Sequence, residues 1–253
     1  MTSLNNFRLP AVLTDAAELV GRLAPHDRGR ADVKADGSPV TRVDIEVDAF
    51  LKQELGGLMP EAGWLSEETV DDPAPFSCEW IWVVDPLDGT REFLQRVPAC
   101  AVSIALVRYG TPVAAGVINP FTHEWDVIEP DRPPVFHGLT ARPAPAALTE
   151  SVATVSRTEM RDRVLESCRP FVCDLRPVGS AAYKLLRVVA GADHLTFSPR
   201  SKSEWDICAG VALLRAAGPD DARIRTGAAA CTTPLVREFL QVAAEAGTGA
   251  RTI

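Results

Sequence analysis

The first part of the chain has apolar residues every three or four positions, a spacing that places side chains on one face of a helix. One such face runs from residue 9 to 23 and a second from residue 43 to 51, after Thr41 and before Gly56-Gly57. The segment between them, "ADVKADGSPVT" (31–41), is polar and contains Gly and Pro, which favours a loop. The pattern predicts two amphipathic helices joined by this loop, then a short strand with an acidic end over residues 61–69.

After residue 79 the pattern changes to short apolar runs separated by turn residues. These runs are "WIWVV" (80–84), "AVSIALV" (101–107), "PVAAGVI" (112–118) and "EWDVI" (124–128). Consecutive strands with short connections are typical of an antiparallel meander. We therefore expect an antiparallel sheet with helices packed on it.

The second half of the chain alternates between the two kinds of pattern. Strands are predicted over 152–155, 175–178 and 193–197, and helices over 158–168, 180–190 and 204–218 and from Thr233 onward. Alternating elements favour an α/β layer. Five prolines between residues 130 and 145 mark a candidate junction. We expect an α+β domain over residues 1–140 that carries most of the site, and an α/β domain over 141–253 that completes it.

The composition of the chain narrows its possible functions more than it narrows its possible folds. The chain has 253 residues, of which 46% are hydrophobic and 24% charged, as in ordinary globular proteins. Its formal net charge of −8 argues against sequence-independent binding of nucleic acid, which requires a basic surface. No apolar run approaches the ~20 residues of a membrane span, and the first ten residues do not resemble a secretory signal. We therefore expect neither a nucleic-acid partner nor a membrane partner.

The six cysteines are scattered, with no C-x-x-C pair and no Cys/His cluster of zinc spacing. Three of them lie in apolar surroundings, where cysteine behaves as a small buried hydrophobe. We therefore expect a reducing, cytoplasmic compartment.

The string "WIWVVDPLDGTREF" (80–93) carries the strongest chemical signal. An apolar run ends in Asp85, and Asp88, Gly89 and Thr90 follow within five residues. Carboxylates are the ligands that Mg²⁺ prefers, and Gly lets the backbone approach a ligand closely. A bare D-x-x-D more often forms a turn that caps a helix, but the full D-P-L-D-G-T string is more specific than that pattern.

Other acidic residues have structural alternatives. Glu67 belongs to a Glu-Glu pair that could be a solvated loop. Asp44 follows Thr41 at the spacing of a capping box, and Asp206 lies near a helix start, where the helix dipole stabilises a carboxylate. Glu67 becomes a ligand candidate only if the fold brings it to Asp85, and for Asp44 the capping role does not exclude a catalytic one.

Four motifs in order resemble the inositol monophosphatase superfamily of Mg²⁺-dependent, lithium-sensitive phosphatases. They are "KADGSPVTRVD" (34–44), "WLSEET" (64–69), "WVVDPLDGTREF" (82–93) and "EWDICAG" (204–210). The resemblance implies a layered α-β-α-β-α sandwich, two or three Mg²⁺ ions per site, a small phosphorylated substrate and a homodimer. It also implies in-line attack by a metal-activated water, without a phosphoenzyme.

The resemblance also implies roles for the matching residues. The metal ligands would be the side chains of Glu67, Asp85, Asp88 and Asp206 and the backbone carbonyl of Leu87. The catalytic residues would be Asp44, Glu67 and Thr90, with Thr90 hydrogen-bonded to Asp44 and orienting or deprotonating the attacking water. The substrate contacts would be Lys34, Asp88, Gly89, Thr90, Ser180, Lys184 and Arg200.

Within the superfamily, the chain is most similar to the CysQ-type 3′(2′),5′-bisphosphate nucleotidases. Three strings favour this group: "DGSPVT" (36–41), "DGTREF" (88–93), and "GSAAYKLLRVVAGADH" (179–194) followed by "SPR" (198–200). Ser198 replaces the tyrosine usual before Pro-Arg. The segment after "EWDVIEP" and the C-terminal part beyond residue 217 also depart from the family pattern. These changes affect the expected substrate rim and dimer contact more than the metal motifs.

The resemblance therefore predicts a Mg²⁺-dependent phosphomonoesterase that removes the 3′-phosphate of 3′-phosphoadenosine 5′-phosphate, giving AMP and phosphate. One alternative keeps the chemistry and changes the substrate to inositol phosphate or another small phosphorylated alcohol. An alternative of another class is a non-catalytic regulatory protein with the same fold.

Overall fold

The computed structural model describes residues 8–27, 29–69, 77–198, 200–217 and 229–231. The helices are α1 (Leu9–Asp27), α2 (Arg42–Leu58), α3 (Thr90–Leu94), α4 (Arg157–Arg161), α5 (Ala181–Val189) and α6 (Glu204–Ala217). Two 3₁₀ turns span Leu148–Glu150 and Glu166–Phe171. Among the described residues, no helix is both long and apolar enough to cross a membrane.

Six strands of the first half form one sheet in the order β3-β4-β5-β6-β7-β8. The strands are β3 (Gly63–Ser66), β4 (Trp80–Asp88), β5 (Ala101–Arg108), β6 (Thr111–Ile118), β7 (Trp125–Ile128) and β8 (Val135–His137). From β4 to β8 every neighbouring pair is antiparallel, which confirms the predicted meander. The acidic strand β3 joins β4 in parallel. Strand β8 comes from the proline-rich segment, where the pattern predicted no strand.

The second sheet has the order β10-β9-β11-β12, with both neighbours of β9 parallel to it. The strands are β9 (Val152–Ser156), β10 (Asp174–Val178), β11 (Leu195–Phe197) and β12 (Ala229–Cys231). The predicted α/β alternation is therefore confirmed. Two further short strands, β1 (Asp32–Val33) and β2 (Pro39–Val40), pair within the predicted loop.

The continuous helix predicted over 158–168 is wrong. Helix α4 ends at Arg161, and the 3₁₀ turn begins only at Glu166. Arg163, between them, has a φ of 59°, in the left-handed region that a right-handed helix does not use. The helix predicted from Thr233 lies outside the described residues.

The elements stack in five layers, α-β-α-β-α, as the resemblance implied. The first core lies between α1 and α2 and one face of the six-stranded sheet. The second lies between the opposite face and helices α5 and α6. The third covers the outer face of the second sheet with residues of the 3₁₀ turns and the partly buried Met160 of α4. The division into two domains at residue 140 stays a prediction, since α6 packs on the sheet of the first half.

Candidate active site

Strand β4 ends in a bulge that turns two acids to the same side. Asp85 pairs with Ser103 of β5 and Asp88 with Ala101, so three steps along β4 match two along β5. In a regular strand, residues three apart point to opposite faces. The extra residue breaks this alternation, and carboxylate oxygens of Asp85 and Asp88 come together.

Helix α6 brings a third acid to this pair. One carboxylate oxygen each from Asp85, Asp88 and Asp206 lies within 4.8 Å of the other two. Asp206 stands in the first turn of α6, where its carboxylate also accepts the N–H of Ser203 at 3.0 Å. Asp206 therefore stands at a helix start, where the dipole stabilises a carboxylate, and also lies in the acidic cluster; its role as a metal ligand stays a prediction.

The cluster fits a hard divalent cation. Asp85 is buried, and its Oδ2 atom has no hydrogen-bond partner among the described residues. Burial, and then the charges of Asp88, Glu67 and Asp206, raise the pKa of Asp85 well above its usual range. Such crowding of like charges is relieved by a bound cation, and carboxylate oxygens are the ligands that Mg²⁺ prefers.

Helix α5 fixes Asp88 from the other side. The Oδ2 atom of Asp88 accepts the hydroxyl of Ser180 at 2.7 Å and the backbone N–H of Ala182 at 2.6 Å. Ser180 is the N-cap of α5, and its φ of 47° is unusual for a residue with a side chain. Asp88 thus ties the end of β4 to α5, in the middle layer.

Asp44 and Thr90 form a buried pair beside the cluster. The Thr90 hydroxyl donates to Asp44 Oδ1 at 2.9 Å, with the carbonyl of Leu87 as a second acceptor within 3.2 Å. Asp44 Oδ2 meanwhile accepts the N–H of Thr41 at 2.7 Å and closes the capping box of α2. Because its hydrogen points to Asp44, the Thr90 oxygen has lone pairs that can accept a hydrogen bond from water.

Glu67 follows β3, and Lys34 from the β1–β2 hairpin reaches it. The Lys34 ammonium lies 2.8 Å from Glu67 Oε1 and 2.7 Å from Glu68 Oε1. The Glu67 charge acts on both Asp85 and Asp206, so it belongs to the same electrostatic group. Glu67 and Glu68, which the sequence alone could also assign to a solvated loop, therefore both contact Lys34 beside the acidic cluster.

Gly89 allows the backbone to pack closely against its neighbours at the start of α3. Its φ of 97° is in the left-handed region, where glycine is favoured. A Cβ atom there would lie 3.0 Å from the Ala99 carbonyl oxygen and 3.3 Å from Ser180 Cβ. A larger residue at position 89 would push the acid-bearing strand and α5 apart.

A cleft of about 340 Å³ opens over these groups. Lys184 of α5 lines it and is only 4% exposed. Burial, and then the charge of Lys202, lower the pKa of Lys184 to about 8. Arg200 is not among the lining residues, because its guanidinium pairs with Asp162 at 2.8 Å. Its role as a substrate contact stays a prediction.

Two charged residues near the cleft were missed by sequence reasoning. Lys202 lines the cleft, and Glu159 of α4 is buried beside it with Oε1 accepting the hydroxyl of Ser198. Both act electrostatically on Lys184. Lys202 lies in a loop and Glu159 in a short helix, and neither stands in a periodic pattern or a motif that could have identified it.

The chain is similar to known proteins along most of its length. The model of the inositol monophosphatase family matches residues 4–235. An inositol-1-monophosphatase of Mesorhizobium japonicum is 32% identical over 225 residues, which cover 82% of each chain. A 3′(2′),5′-bisphosphate nucleotidase CysQ of Haemophilus influenzae is 28% identical over 199 residues, covering 72% of this chain and 71% of the relative.

The fold is also similar to that of a solved IMPase/NADP phosphatase complexed with Mg²⁺ and phosphate. That structure has a TM-score of 0.79 and 16% sequence identity, and the match covers 92% of each chain. At this identity the likeness concerns the fold alone.

Proposed function

Because this chain belongs to the inositol monophosphatase family, we propose that it is a Mg²⁺-dependent phosphomonoesterase whose preferred substrate is 3′-phosphoadenosine 5′-phosphate. The family and the relatives described above are phosphatases, and the relatives include both inositol-1-monophosphatases and bisphosphate nucleotidases. The products would be AMP and inorganic phosphate.

One observation carries the proposal: the buried carboxylate of Asp85, whose Oδ2 has no hydrogen-bond partner among the described residues and which lies beside two further carboxylates. A buried, unpaired carboxylate costs several kcal/mol unless a cation compensates it. Asp85, Asp88, Asp206 and Glu67 would hold Mg²⁺, with the Leu87 carbonyl as an additional ligand. When bound, the metal would polarise the phosphoryl group and lower the pKa of a water nucleophile.

The remaining groups have roles that follow from their positions. Asp44 orients Thr90 through the 2.9 Å hydrogen bond, so that the hydroxyl can take a proton from the attacking water while it passes its own proton to the Asp44 carboxylate. The N–H groups of Gly89 and Thr90 would bind phosphate oxygens. Lys34, held by Glu68 as well as Glu67, would cover the site from the hairpin.

The nucleotide is favoured over inositol phosphate by the charge of the cleft. Lys184 adds a cationic group beyond the metal ligands, which suits a substrate with more than one phosphate. The inositol-1-monophosphatase of M. japonicum, 32% identical over most of both chains, supports inositol 1-phosphate as the second candidate. A non-catalytic regulatory role would not require the Asp85–Asp88–Asp206 cluster together with the Asp44–Thr90 pair.

The test of the metal site is phosphate release from a panel of nucleotide, inositol and sugar phosphates, with and without Mg²⁺. We expect release only with Mg²⁺, and a loss of at least about 10²-fold in Asp85→Asn, because one ligand of the cation is weakened. Asp15→Asn is the matched control, since this carboxylate is exposed on α1 and does not line the cleft. Equal release by wild type and Asp85→Asn would refute the metal site.

The same panel tests which substrate the enzyme prefers. We expect a higher kcat/KM for 3′-phosphoadenosine 5′-phosphate than for inositol 1-phosphate. The opposite order would assign the chain to the second candidate while leaving the metal chemistry in place.

A further inference from the structure

Glu92 is a charged residue of the cleft that has no role among those described above. It is the third residue of α3, two positions after Thr90, and it lines the cleft wall. Its side chain is only 12% exposed. A carboxylate that is largely removed from water is costly unless its neighbours compensate it, so the contacts of Glu92 indicate what it does.

The Glu92 side chain occupies the space where residue 179 would otherwise carry a Cβ atom. A Cβ on Gly179 would lie 2.1 Å from Glu92 Cγ, 2.4 Å from its Cδ and 2.9 Å from the Ala99 carbonyl oxygen. The φ of Gly179 is not positive, so the backbone conformation does not require glycine at this position. Glycine is required by the space that Glu92 and Ala99 take, and Glu92 and Gly179 therefore fit together as a pair.

Arg157 holds the carboxylate end of the Glu92 side chain. Its guanidinium comes from the start of α4, in the outermost layer, and NH1 donates to Glu92 Oε1 at 3.3 Å. The two side chains are 33% and 12% exposed, so their attraction alone contributes little to stability. The effect of the pair is directional, because it keeps the Glu92 side chain lying across Gly179.

The segment beneath Glu92 leads directly into the support of Asp88. Ser180, the residue after Gly179, donates its hydroxyl to Asp88 Oδ2 at 2.7 Å. The φ of Ser180 is 47°, and a residue with a side chain keeps such a conformation only where its surroundings impose it. The contact of Glu92 with Gly179 restrains the residue immediately before this strained position.

We propose that Glu92 is a positioning residue for the cation site. Packed against Gly179 and held by Arg157, it fixes the turn from which Ser180 orients Asp88. Glu92 acts through this turn and contacts neither the cation nor the substrate. The inference deepens the proposed function and rests on it, because the orientation of Asp88 matters to a protein that binds Mg²⁺ there. Removing a group that orients a metal ligand lowers metal affinity by about 10–100-fold.

The first test separates the shape of Glu92 from its charge. Calorimetry without substrate measures the Kd of Mg²⁺ for wild type, Glu92→Gln and Glu92→Ala. Both variants lose the charge, but only Glu92→Gln keeps a side chain that covers Gly179. We expect the Kd of Glu92→Ala to be about tenfold higher than that of Glu92→Gln. Glu18→Ala, at an exposed position of α1, is the control and binds Mg²⁺ as wild type does. Equal Kd values for the two Glu92 variants, or a wild type that binds no Mg²⁺, would overturn the proposal.

The second test uses the fit between the two residues. Gly179→Ala places a Cβ atom against Glu92 and should raise the Kd of Mg²⁺ about tenfold by displacing it. Adding Glu92→Ala removes the atoms that the new Cβ meets, so the double variant should bind Mg²⁺ about threefold more tightly than Gly179→Ala alone. Recovery stays incomplete because the Ala99 carbonyl oxygen remains 2.9 Å from the Cβ. Equal or weaker binding by the double variant contradicts the fit, and if Gly179→Ala does not fold, the first test decides.

Kinetics separates positioning from substrate contact. At saturating Mg²⁺ we expect Glu92→Ala to keep a KM for 3′-phosphoadenosine 5′-phosphate within about twofold of wild type, while half-activation requires more Mg²⁺. A raised KM with an unchanged Kd of Mg²⁺ would make Glu92 a substrate contact and refute the positioning role. If Mg²⁺ binding follows the expected order but no phosphate ester is hydrolysed, the positioning role stands and the proposed function fails.

Discussion

Asp126 is a buried carboxylate outside the candidate site. It lies on β7 with no solvent exposure, and neither of its side-chain oxygens has a hydrogen-bond partner among the described residues. Burial, and then the charge of Glu124, raise its pKa to about 7, against the opposing effect of the backbone N–H of His137, which lies nearby outside hydrogen-bond geometry. It is outside the cleft, so its effect belongs to stability.

This residue gives the stability a pH dependence of known sign. The unfolded carboxyl titrates near pH 4, so between about pH 4 and about pH 7 the folded state binds more protons. The free energy of unfolding therefore falls as pH rises through this window, by up to about 4 kcal/mol, and is level above it. Asp126→Asn should be more stable than wild type at pH 8, with the difference shrinking towards pH 5.

Urea denaturation at a series of pH values, in excess Mg²⁺ to hold the carboxylate cluster constant, measures this effect. The exposed Asp15→Asn on α1 is the control and should follow the wild-type profile. A stability difference for Asp126→Asn that does not change with pH would show that its carboxyl titrates normally.

At this scale the sequence predicted most of the residues that the fold brings together at the candidate site. Asp85, Asp88, Gly89 and Thr90 stand in one short string, and Asp44, Glu67 and Asp206 stand in motifs that could be matched one by one. Lys202 and Glu159 could not be predicted, because their effect depends on distances across the fold. The absence of Arg200 from the cleft depends on Asp162, which is 38 positions away and in no motif.

Among the elements, the close contact between α5 and α6 requires a glycine, which has no side chain, at position 210 of α6. A Cβ atom on Gly210 of α6 would lie 2.5 Å from both the Cβ and Cδ1 atoms of Leu185 on α5. The short distance to Cβ cannot be relieved by rotating the leucine. The helices that carry Lys184 and Asp206 are therefore packed as closely as their backbones permit.

We predict that Gly210→Ala lowers the free energy of unfolding by about 1–3 kcal/mol, because overpacking outweighs the helix propensity of alanine. Gly57→Ala in α2 is the matched control. It has nothing within 4 Å of the added Cβ, so it should be stabilising by about 0.5–1 kcal/mol. Chemical denaturation of both variants checks the prediction, and a stabilising Gly210→Ala would contradict the close packing.

The strands and long helices were predictable because their apolar periodicity continues over many residues. The segment 157–171 was not, since its apolar spacing resembles a helix while Arg163 takes a left-handed conformation that periodicity does not report. The parallel pairing of β3 with β4 also could not be predicted, because the residues of a short strand do not indicate which strand it pairs with.

For the molecule as a whole, the site lies where the layers meet. Asp85 and Asp88 come from the first sheet, Asp206 and Lys184 from the middle helices, and Glu159 from the outermost layer. A cation bound there links segments more than a hundred residues apart. Metal binding should therefore stabilise the whole fold.

We predict that saturating Mg²⁺ raises the Tm of wild type by about 5–10 °C, the shift expected at about 100 times Kd. Asp206→Asn should have a higher Tm than wild type without Mg²⁺, because it removes a repelling charge, and a lower Tm with Mg²⁺. Differential scanning calorimetry detects this reversal. The Asp15→Asn control should respond to Mg²⁺ as wild type does. A Tm order that is the same with and without Mg²⁺ would argue against a metal bridge through Asp206.

The bulge at the end of β4 bears on how this protein could be redesigned. A sequence optimised for regular strand pairing would flatten the bulge, so that each residue from Asp85 to Asp88 pairs with one residue of β5. In that regular strand Asp88, three positions after Asp85, would point to the opposite face, away from Ser180 and Asp206. A stabilised scaffold obtained in this way would keep the architecture and lose the chemistry, so any computational idealisation of this fold must keep the bulge.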